Sequence, residues 1–370
     1  MSIRKKGPVN QAVGSDETVK IQDVARLAQV SLGTVSGVLN NKANVRLETR
    51  QRVLDVIAQV GYRPSIFASN LARRTIKIIG IVVSDLLNPF FAETAKALDT
   101  DAKRRGYETF LVSTNFSAEQ QRVAVKQMLA MRVAGVAMMT SENDAEAFTL
   151  LKNSATPAVY LDNTHVSPNT GTVRLDIRGG MSLSVEHLLE LGHRKILLVK
   201  NSQQVTSESP MLSHIERQLG FEQALDRYGS EKIQVSMIDE PGDSASAGFR
   251  AIEKALNTCE FTAVVALNDL VALGVFRRLL TAGLHIPEDV SVVGFDNSYL
   301  CDFLNPPLTS VETSREELAG SVLDMLLASV NHEEFVHERQ LKVRLVVRGS
   351  TAAPSGAATR RGVSDAGGML

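Results

Sequence analysis

Apolar positions divide the chain into a short helical head and a longer body in which strands alternate with helices. Near the N-terminus, four apolar residues recur with the spacing of one helix face: Ile21, Val24, Ala25 and Ala28. Ser31 is a suitable N-cap for a second helix, which runs to about Leu39. A third helix has an apolar face of Val53, Val56, Ile57 and Val60, and Gly61 is expected to end it. Two helices joined by a tight turn and followed by a third predict a helix-turn-helix unit.

From residue 76 onward, the pattern changes to short apolar runs separated by amphipathic stretches. The predicted strands are 76–83, 107–113, 135–139, 158–161, 195–199, 233–237, 263–267 and 290–294. The predicted helices include 91–105, 119–130, 179–191 and 268–282. Apolar strands that alternate with helices indicate parallel sheets covered on both faces, and this many strands favours two sheets over one. Strands at 308–311 and 341–347 are expected to close the body.

Charge separates the head from the body. Residues 1–77 contain 13 Lys and Arg against 5 Asp and Glu, whereas the rest of the chain contains 27 against 36. A basic head on an acidic body indicates that the head contacts a polyanion. The alternative left open is a basic segment that serves only solubility.

Several classes of protein are excluded by the sequence. The longest apolar run, 76–83, is too short to span a bilayer, and no signal peptide is predicted, so we expect a cytoplasmic protein with no membrane partner. Cys259 and Cys301 fit no metal spacing. There is no dinucleotide or phosphate-binding glycine motif and no nucleophile elbow. We therefore predict no catalytic residue, no metal, no cofactor and no enzymatic activity.

A series of motifs runs through both parts of the chain. They include VKIQDVA at 19–25, TVS at 34–36, GYRP at 61–64, NPFF at 88–91, LGHRKI at 191–196, IPEDV at 286–290 and SVVGFDN at 291–297. In number and order these motifs resemble the lac repressor (LacI/GalR) family of bacterial transcription regulators. The resemblance covers about residues 19–348.

The resemblance implies an all-α helix-turn-helix head followed by an α/β core of two doubly wound parallel-sheet lobes, like the periplasmic binding proteins. The expected boundaries are a disordered extension at 1–17, the DNA-binding head at 18–64, a hinge helix at 65–75, the core at 76–348 and a disordered tail at 349–370. The first lobe is expected to contain about 76–175 and 308–328, and the second about 176–307 and 329–348.

On the DNA side, the resemblance implies contacts from the recognition helix and from the hinge. The implied residues are Ser31, Leu32, Gly33, Thr34, Ser36, Gly37, Asn40, Ala68 and Leu71. Leu71 matches the leucine that wedges into a minor-groove step. Each of the two glycines costs about 1 kcal/mol in a helix interior, and neither has a side chain that reaches a base edge. We expect this helix to make few direct contacts with bases. The alternative is that packing holds the helix and that Gly37 does not face the groove.

The effector site is expected at strand ends, where open parallel sheets bind ligands. The loop after the first predicted strand offers Asn88 and Phe90, whose ring can stack on a sugar or a base. The resemblance implies contacts from Asp162, Arg217, Asn268 and Asp296. Two acids and an amide favour a polyhydroxylated ligand such as a sugar or sugar acid. A purine-type ligand, a phosphorylated ligand and a partner protein stay open as alternatives.

The resemblance therefore implies a sequence-specific transcriptional repressor under allosteric control by a small metabolite. By resemblance, its partners are a near-palindromic DNA operator, the small-molecule effector and a second copy of the chain. A tetramer is left open.

Overall fold

The computed structural model describes residues 19–39, 45–62, 77–163, 167–200, 212–229, 233–242, 244–331 and 333–355. The chain forms two compact units, Met1–Ile76 and Lys77–Leu370. The predicted extension at 1–17 and hinge helix at 65–75 lie outside the described residues. Within the described residues, no helix is both long and apolar enough to cross a membrane.

The head contains α1 (Ile21–Leu27), α2 (Leu32–Leu39) and α3 (Leu47–Val60). Its core is made of small branched and methyl side chains, namely Val24, Ala25, Ala28, Val35, Val38 and Val53. The N-cap prediction for Ser31 is confirmed, because its Oγ accepts a hydrogen bond of 3.2 Å from the Thr34 N–H. Gly61 ends α3 in the left-handed conformation, at φ 63°, as its position predicts.

The body begins with β1 (Ile78–Val83), α4 (Pro89–Arg104), β2 (Glu108–Ser113), α5 (Ala118–Met131), β3 (Gly135–Met139), α6 (Ala145–Lys152), β4 (Ala158–Leu161) and β5 (Thr170–Leu175). It continues with α7 (Ile177–Glu190), β6 (Lys195–Lys200), α8 (Leu212–Tyr228), β7 (Gln234–Asp239), α9 (Ala245–Thr258), β8 (Ala263–Ala266), α10 (Asp269–Thr281), β9 (Ser291–Asp296) and α11 (Leu300–Phe303). The last elements are β10 (Thr309–Glu312), α12 (Arg315–Val330), β11 (Glu338–Leu341) and β12 (Arg344–Val346).

The body has two sheets, as the strand count predicts, and each sheet defines a lobe. The first sheet has the order β11-β5-β4-β3-β1-β2, and the second has the order β12-β10-β9-β8-β6-β7. All strand pairs are parallel except β10 with β12. The carboxyl ends of the parallel strands in each sheet therefore lie at one edge, where ligands of such sheets bind.

The chain crosses between the lobes at different points from those predicted. Thr309–Glu312 pairs with β9, so it belongs to the second lobe and not to the first. Glu338–Leu341 pairs with β5 in the first lobe, so the single strand predicted at 341–347 is in fact β11 and β12 in different sheets. Local apolar patterns identify a strand but do not specify which sheet it joins.

The prediction of a disordered tail from residue 349 is wrong for residues 349–355. The Ser350 carbonyl accepts a hydrogen bond of 2.8 Å from the Val292 N–H, and its hydroxyl accepts one of 2.8 Å from the Thr309 N–H. Ser350 is fully buried as a result. Small polar residues suggested disorder, but here they hydrogen-bond to the backbone of two strands.

Helices α9 and α10 approach each other so closely that only glycine fits at their contact. A Cβ at Gly274 would lie 1.7 Å from the Ala245 carbonyl oxygen, and a Cβ at Gly248 would lie 2.0 Å from that of Val271. Both obstacles are backbone atoms, so a side-chain rotation cannot relieve the overlap.

We expect Gly274→Ala to lower the free energy of unfolding by about 2 to 3 kcal/mol, because the two helices must separate. The matched control is Gly320→Ala in α12, where a Cβ meets no described atom within 4 Å apart from the nearby backbone of its own helix. The control should be neutral or gain up to about 1 kcal/mol from helix propensity. Urea unfolding followed by circular dichroism measures the free energy of unfolding of both variants. If Gly274→Ala is as stable as Gly320→Ala, the close helix contact is contradicted.

Candidate functional site

Most of the predicted DNA-binding residues that the structure describes lie on α2. Leu32 is 46% exposed, Gly33 is exposed, and Thr34 and Ser36 are half-buried. The hydroxyl oxygens of Ser31 and Thr34 are 3.0 Å apart, within hydrogen-bond distance at the start of the helix. Three further predicted contacts lie outside the described residues: Asn40, Ala68 and Leu71.

The two glycines of α2 have different surroundings. A Cβ at Gly33 would make only an ordinary contact, 3.7 Å from the Ser31 Oγ. Gly37 is buried, and a Cβ there would lie 3.1 Å from the Cγ2 of Val45. A Cβ at position 37 would therefore require Val45 to move by a few tenths of an ångström, whereas position 33 has room for a side chain.

All six predicted effector residues line one cleft at the carboxyl ends of the strands. The cleft encloses about 860 Å³, part of which is open to solvent. The predicted residues that line it are Asn88, Phe90, Asp162, Arg217, Asn268 and Asp296. The first three come from the first lobe and the last three from the second, so the cleft lies between the lobes.

Two of the amides that line the cleft, Asn88 and Asn268, are also helix caps. The Asn88 Oδ1 accepts a hydrogen bond of 3.0 Å from the Phe90 N–H at the start of α4. The Asn268 Oδ1 accepts one of 2.7 Å from the Val271 N–H at the start of α10. Each cap uses the amide oxygen, so the NH2 group is the part of the side chain suited to donate to a ligand.

The two carboxylates of the cleft follow strands in the left-handed conformation. Asp162 follows β4 with φ 48°, and Asp296 ends β9 with φ 99°. Asp tolerates this region better than most residues, and such conformations concentrate at functional sites. The Asp162 Oδ1 accepts a hydrogen bond of 2.7 Å from the Leu175 N–H, which fixes the carboxylate against β5.

Arg217 supplies a cation from α8. Its guanidinium lies 4.9 Å from the centre of the Phe295 ring, and its Nη1 is 3.5 Å from the Ser213 carbonyl oxygen. Its Nε is buried and has no hydrogen-bond partner among the described residues. A buried donor without a partner is costly, so an acceptor on a bound ligand would stabilise this arrangement.

Comparison with known protein families gives two matches. The model for the lacI family of bacterial regulatory proteins matches residues 20–65, and the model for the periplasmic binding protein-like domain matches residues 185–351. The HTH-type transcriptional repressor PurR of Aliivibrio fischeri (strain MJ11) is 32% identical over 330 residues, which cover 87% of this chain and 96% of that protein.

The chain belongs to the lacI family of bacterial regulatory proteins. As a member of the lacI family it is a DNA-binding transcriptional repressor and not an enzyme, as the sequence predicts. The predicted fold class is also confirmed, with a helix-turn-helix head and a two-lobed core.

Two solved structures of the lacI family resemble this chain. The lac repressor dimer bound to operator and the anti-inducer ONPF has a TM-score of 0.78 at 29% identity, and the match covers 91% of this chain and all of that one. A lacI-family regulator from Enterococcus faecium with bound ribose has a TM-score of 0.66 at 30% identity, covering 75% of this chain and 99% of that one.

The cleft of this lacI-family regulator is also lined by residues that no sequence pattern had indicated. They include Thr140, Ser141, Asn143, Asn163, Leu175 and Ile177. The Asn163 Nδ2 donates a hydrogen bond of 2.7 Å to the Asn143 Oδ1, which joins the loops after β3 and β4. Polar residues directly after predicted strands would have indicated Thr140 and Asn163, but Leu175 ends a strand that was not predicted.

Burial raises the pKa of Asp162 to about 7, although the Leu175 N–H and the charge of Arg217 act in the opposite direction. A raised carboxyl pKa means that the folded state binds the proton more tightly than the unfolded state. Ionisation of Asp162 therefore costs stability as the pH rises from about 4, its usual pKa, to about 7.

We expect Asp162→Asn to be more stable than the wild type at pH 8 by about 1 to 2 kcal/mol, because the amide avoids a buried charge and still accepts from Leu175. The difference should grow between about pH 4 and pH 7 and stay constant above that range. Denaturant unfolding of the ligand-free protein across this range measures it. Parallel stability curves for the two proteins would contradict a raised pKa at this position.

Proposed function

We propose that this repressor binds a near-palindromic operator as a homodimer and that a small polyhydroxylated metabolite in the cleft between the lobes controls its operator affinity. The head at 18–64 reads the duplex, and the hinge at 65–75, with Leu71 as its wedge, couples the head to the core. The lac repressor that resembles this chain is a dimer on its operator, which supports the first part of the proposal.

The observation that carries the effector proposal is the chemistry of the six residues in one cleft. Asp162 and Asp296 are acceptors for hydroxyl groups, and the amides of Asn88 and Asn268 are donors. The buried Nε of Arg217 requires an acceptor, which a sugar hydroxyl or the carboxylate of a sugar acid supplies. The E. faecium regulator that resembles this chain holds ribose, which agrees with this class of ligand.

The alternative ligands fit this cleft less well. A phosphorylated ligand would bring a dianion close to Asp296 and to Asp162, whose pKa of about 7 leaves it partly ionised at neutral pH. Only the Arg217 charge among the cleft residues would offset this repulsion. A purine base would hydrogen-bond to Arg217 and to one amide, but it would leave most of the hydrogen-bond acceptors of the cleft unused. A partner protein, as the third alternative, does not need an enclosed polar cleft.

We expect a sugar or sugar acid to raise the thermal midpoint of the full-length protein and to change its affinity for operator DNA. The panel is D-ribose, D-glucose, D-gluconate, guanine and glucose 6-phosphate. Arg217→Met and Asp296→Asn should each weaken binding of the active compound about 10- to 100-fold, since each removes a charged hydrogen-bonding group. Asp302→Asn is the control, because Asp302 is exposed and pairs with Arg348 outside the cleft.

If only guanine or glucose 6-phosphate raises the thermal midpoint and changes the DNA affinity, the ligand belongs to one of the alternative classes and is not a sugar. If no compound alters either the thermal midpoint or the DNA affinity, the metabolite proposal is wrong.

A second prediction concerns the two glycines of α2. We expect Gly33→Arg to keep the head folded and to strengthen DNA binding through one added phosphate contact, which steepens the salt dependence by about one charge. Gly37→Arg should instead loosen the head and weaken binding to every duplex, because its Cβ is crowded by Val45. Fluorescence anisotropy and hydrogen exchange over residues 19–60 of the full chain separate these outcomes. Altered sequence preference with an intact head in Gly37→Arg would show that position 37 faces the groove.

A further inference from the structure

We propose that Arg315 and Glu93 are positioning residues that couple occupancy of the cleft to the arrangement of the two lobes. This inference rests on the proposed effector function of the cleft. Neither residue is among those that line the cleft, and neither belongs to a motif of the resemblance.

Arg315 lies where the chain returns from the second lobe to the first. It is the first residue of α12, three residues after the end of β10, and it is 9% exposed. Its Nη1 donates to the Thr313 carbonyl oxygen at 2.7 Å, and its Nη2 donates to the Asp296 carbonyl oxygen at 2.7 Å. One guanidinium therefore holds both the crossover segment and the end of β9.

Glu93 binds the same region from the first lobe. Its Oε1 accepts a hydrogen bond of 2.9 Å from the Tyr299 N–H in the second lobe. Its Oε2 lies 3.4 Å from the Arg315 Nη2. The carboxylate thus joins α4 to the loop that follows β9 and, through Arg315, to the crossover.

The same guanidinium also reaches the cleft through Phe90. The Arg315 guanidinium carbon lies 4.6 Å from the centre of the Phe90 ring, a cation–π contact. Phe90 of the first lobe and Asp296 of the second both line the cleft. A ligand that moves either residue therefore acts on a group that also contacts the opposite lobe.

These contacts depend on the arrangement of the lobes. Hydrogen bonds weaken steeply as their geometry departs from the ideal, so a shift of about 1 Å between the lobes would break the Glu93–Tyr299 bond. Contacts that exist in only one of two lobe arrangements are the means by which a ligand can shift an equilibrium between them.

The chain offers a matched control for this pair. The Arg105 Nη1 lies 2.7 Å from the Asp324 Oδ1, an ion pair that also joins the α4 and α12 segments. Asp324 also pairs with Arg339 of β11 at 3.2 Å. Both pairs lie within the first lobe, so Asp324→Asn removes ion pairs of α12 without affecting the second lobe.

The test compares full-length wild type with Glu93→Ala, Glu93→Gln, Arg315→Met, Arg315→Lys and Asp324→Asn. The probe is a duplex selected from a random library by the wild-type protein, and its affinity is measured without added metabolite. We expect Arg315→Met and Glu93→Ala to change the affinity at least about five-fold, the lower end of typical allosteric coupling. Asp324→Asn should change it less than about two-fold, and Arg315→Lys and Glu93→Gln should restore part of the wild-type value.

Hydrogen exchange at the Tyr299 amide gives a second measurement, and we expect it to be faster in Glu93→Ala than in Asp324→Asn. If Arg315→Met fails to fold, Glu93→Ala decides the question. The proposal is overturned if the folded variants of both residues bind the duplex as the Asp324→Asn control does. If no panel compound binds the wild type, the effector proposal fails separately, since these affinities need no metabolite.

Discussion

The parallel direction of the strands is the constraint on which the rest of this structure depends. Because all neighbouring strands except β10 and β12 run the same way, the carboxyl ends of the parallel strands and the loops that follow them gather at one edge of each sheet. The two lobes place these edges on either side of one cleft, which brings together residues as distant in sequence as Asn88 and Asp296. A polar site forms between the lobes without disturbing the apolar sheets that support it.

Several residues of the cleft serve the fold and the site at once. Asn88 and Asn268 cap helices with their amide oxygens, and Asp162 fixes its carboxylate on the backbone of β5. Their side chains are thereby held in place before any ligand binds, which reduces the entropy lost on binding. Arg217 differs from them, because its buried Nε has no partner among the described residues.

The head has two glycines in α2, which lower the helix propensity of that segment. Gly37 is buried, and a Cβ there would lie 3.1 Å from the Val45 Cγ2, whereas Gly33 lies at an exposed position with room for a side chain. The loss of helix propensity at Gly33 therefore has no packing explanation in the described part of the head. In our proposal the exposed surface of α2 contacts DNA mainly through small side chains and backbone.

Local sequence determined the elements of this protein and the chemistry at their ends. Apolar periodicity located nearly all of the strands, and Ser31 and Gly61 marked helix ends. Strand ends together with the family resemblance indicated six of the residues that line the cleft, although Arg217 lies within α8 and was implied by the resemblance alone. Tertiary structure alone decided which sheet Thr309–Glu312 and Glu338–Leu341 join, why residues 349–355 are ordered, and why the pKa of Asp162 is raised. These features arise from hydrogen bonds and burial between residues far apart in the chain, as in the contacts of Arg315 with Glu93 and Asp296, and no local pattern encodes them.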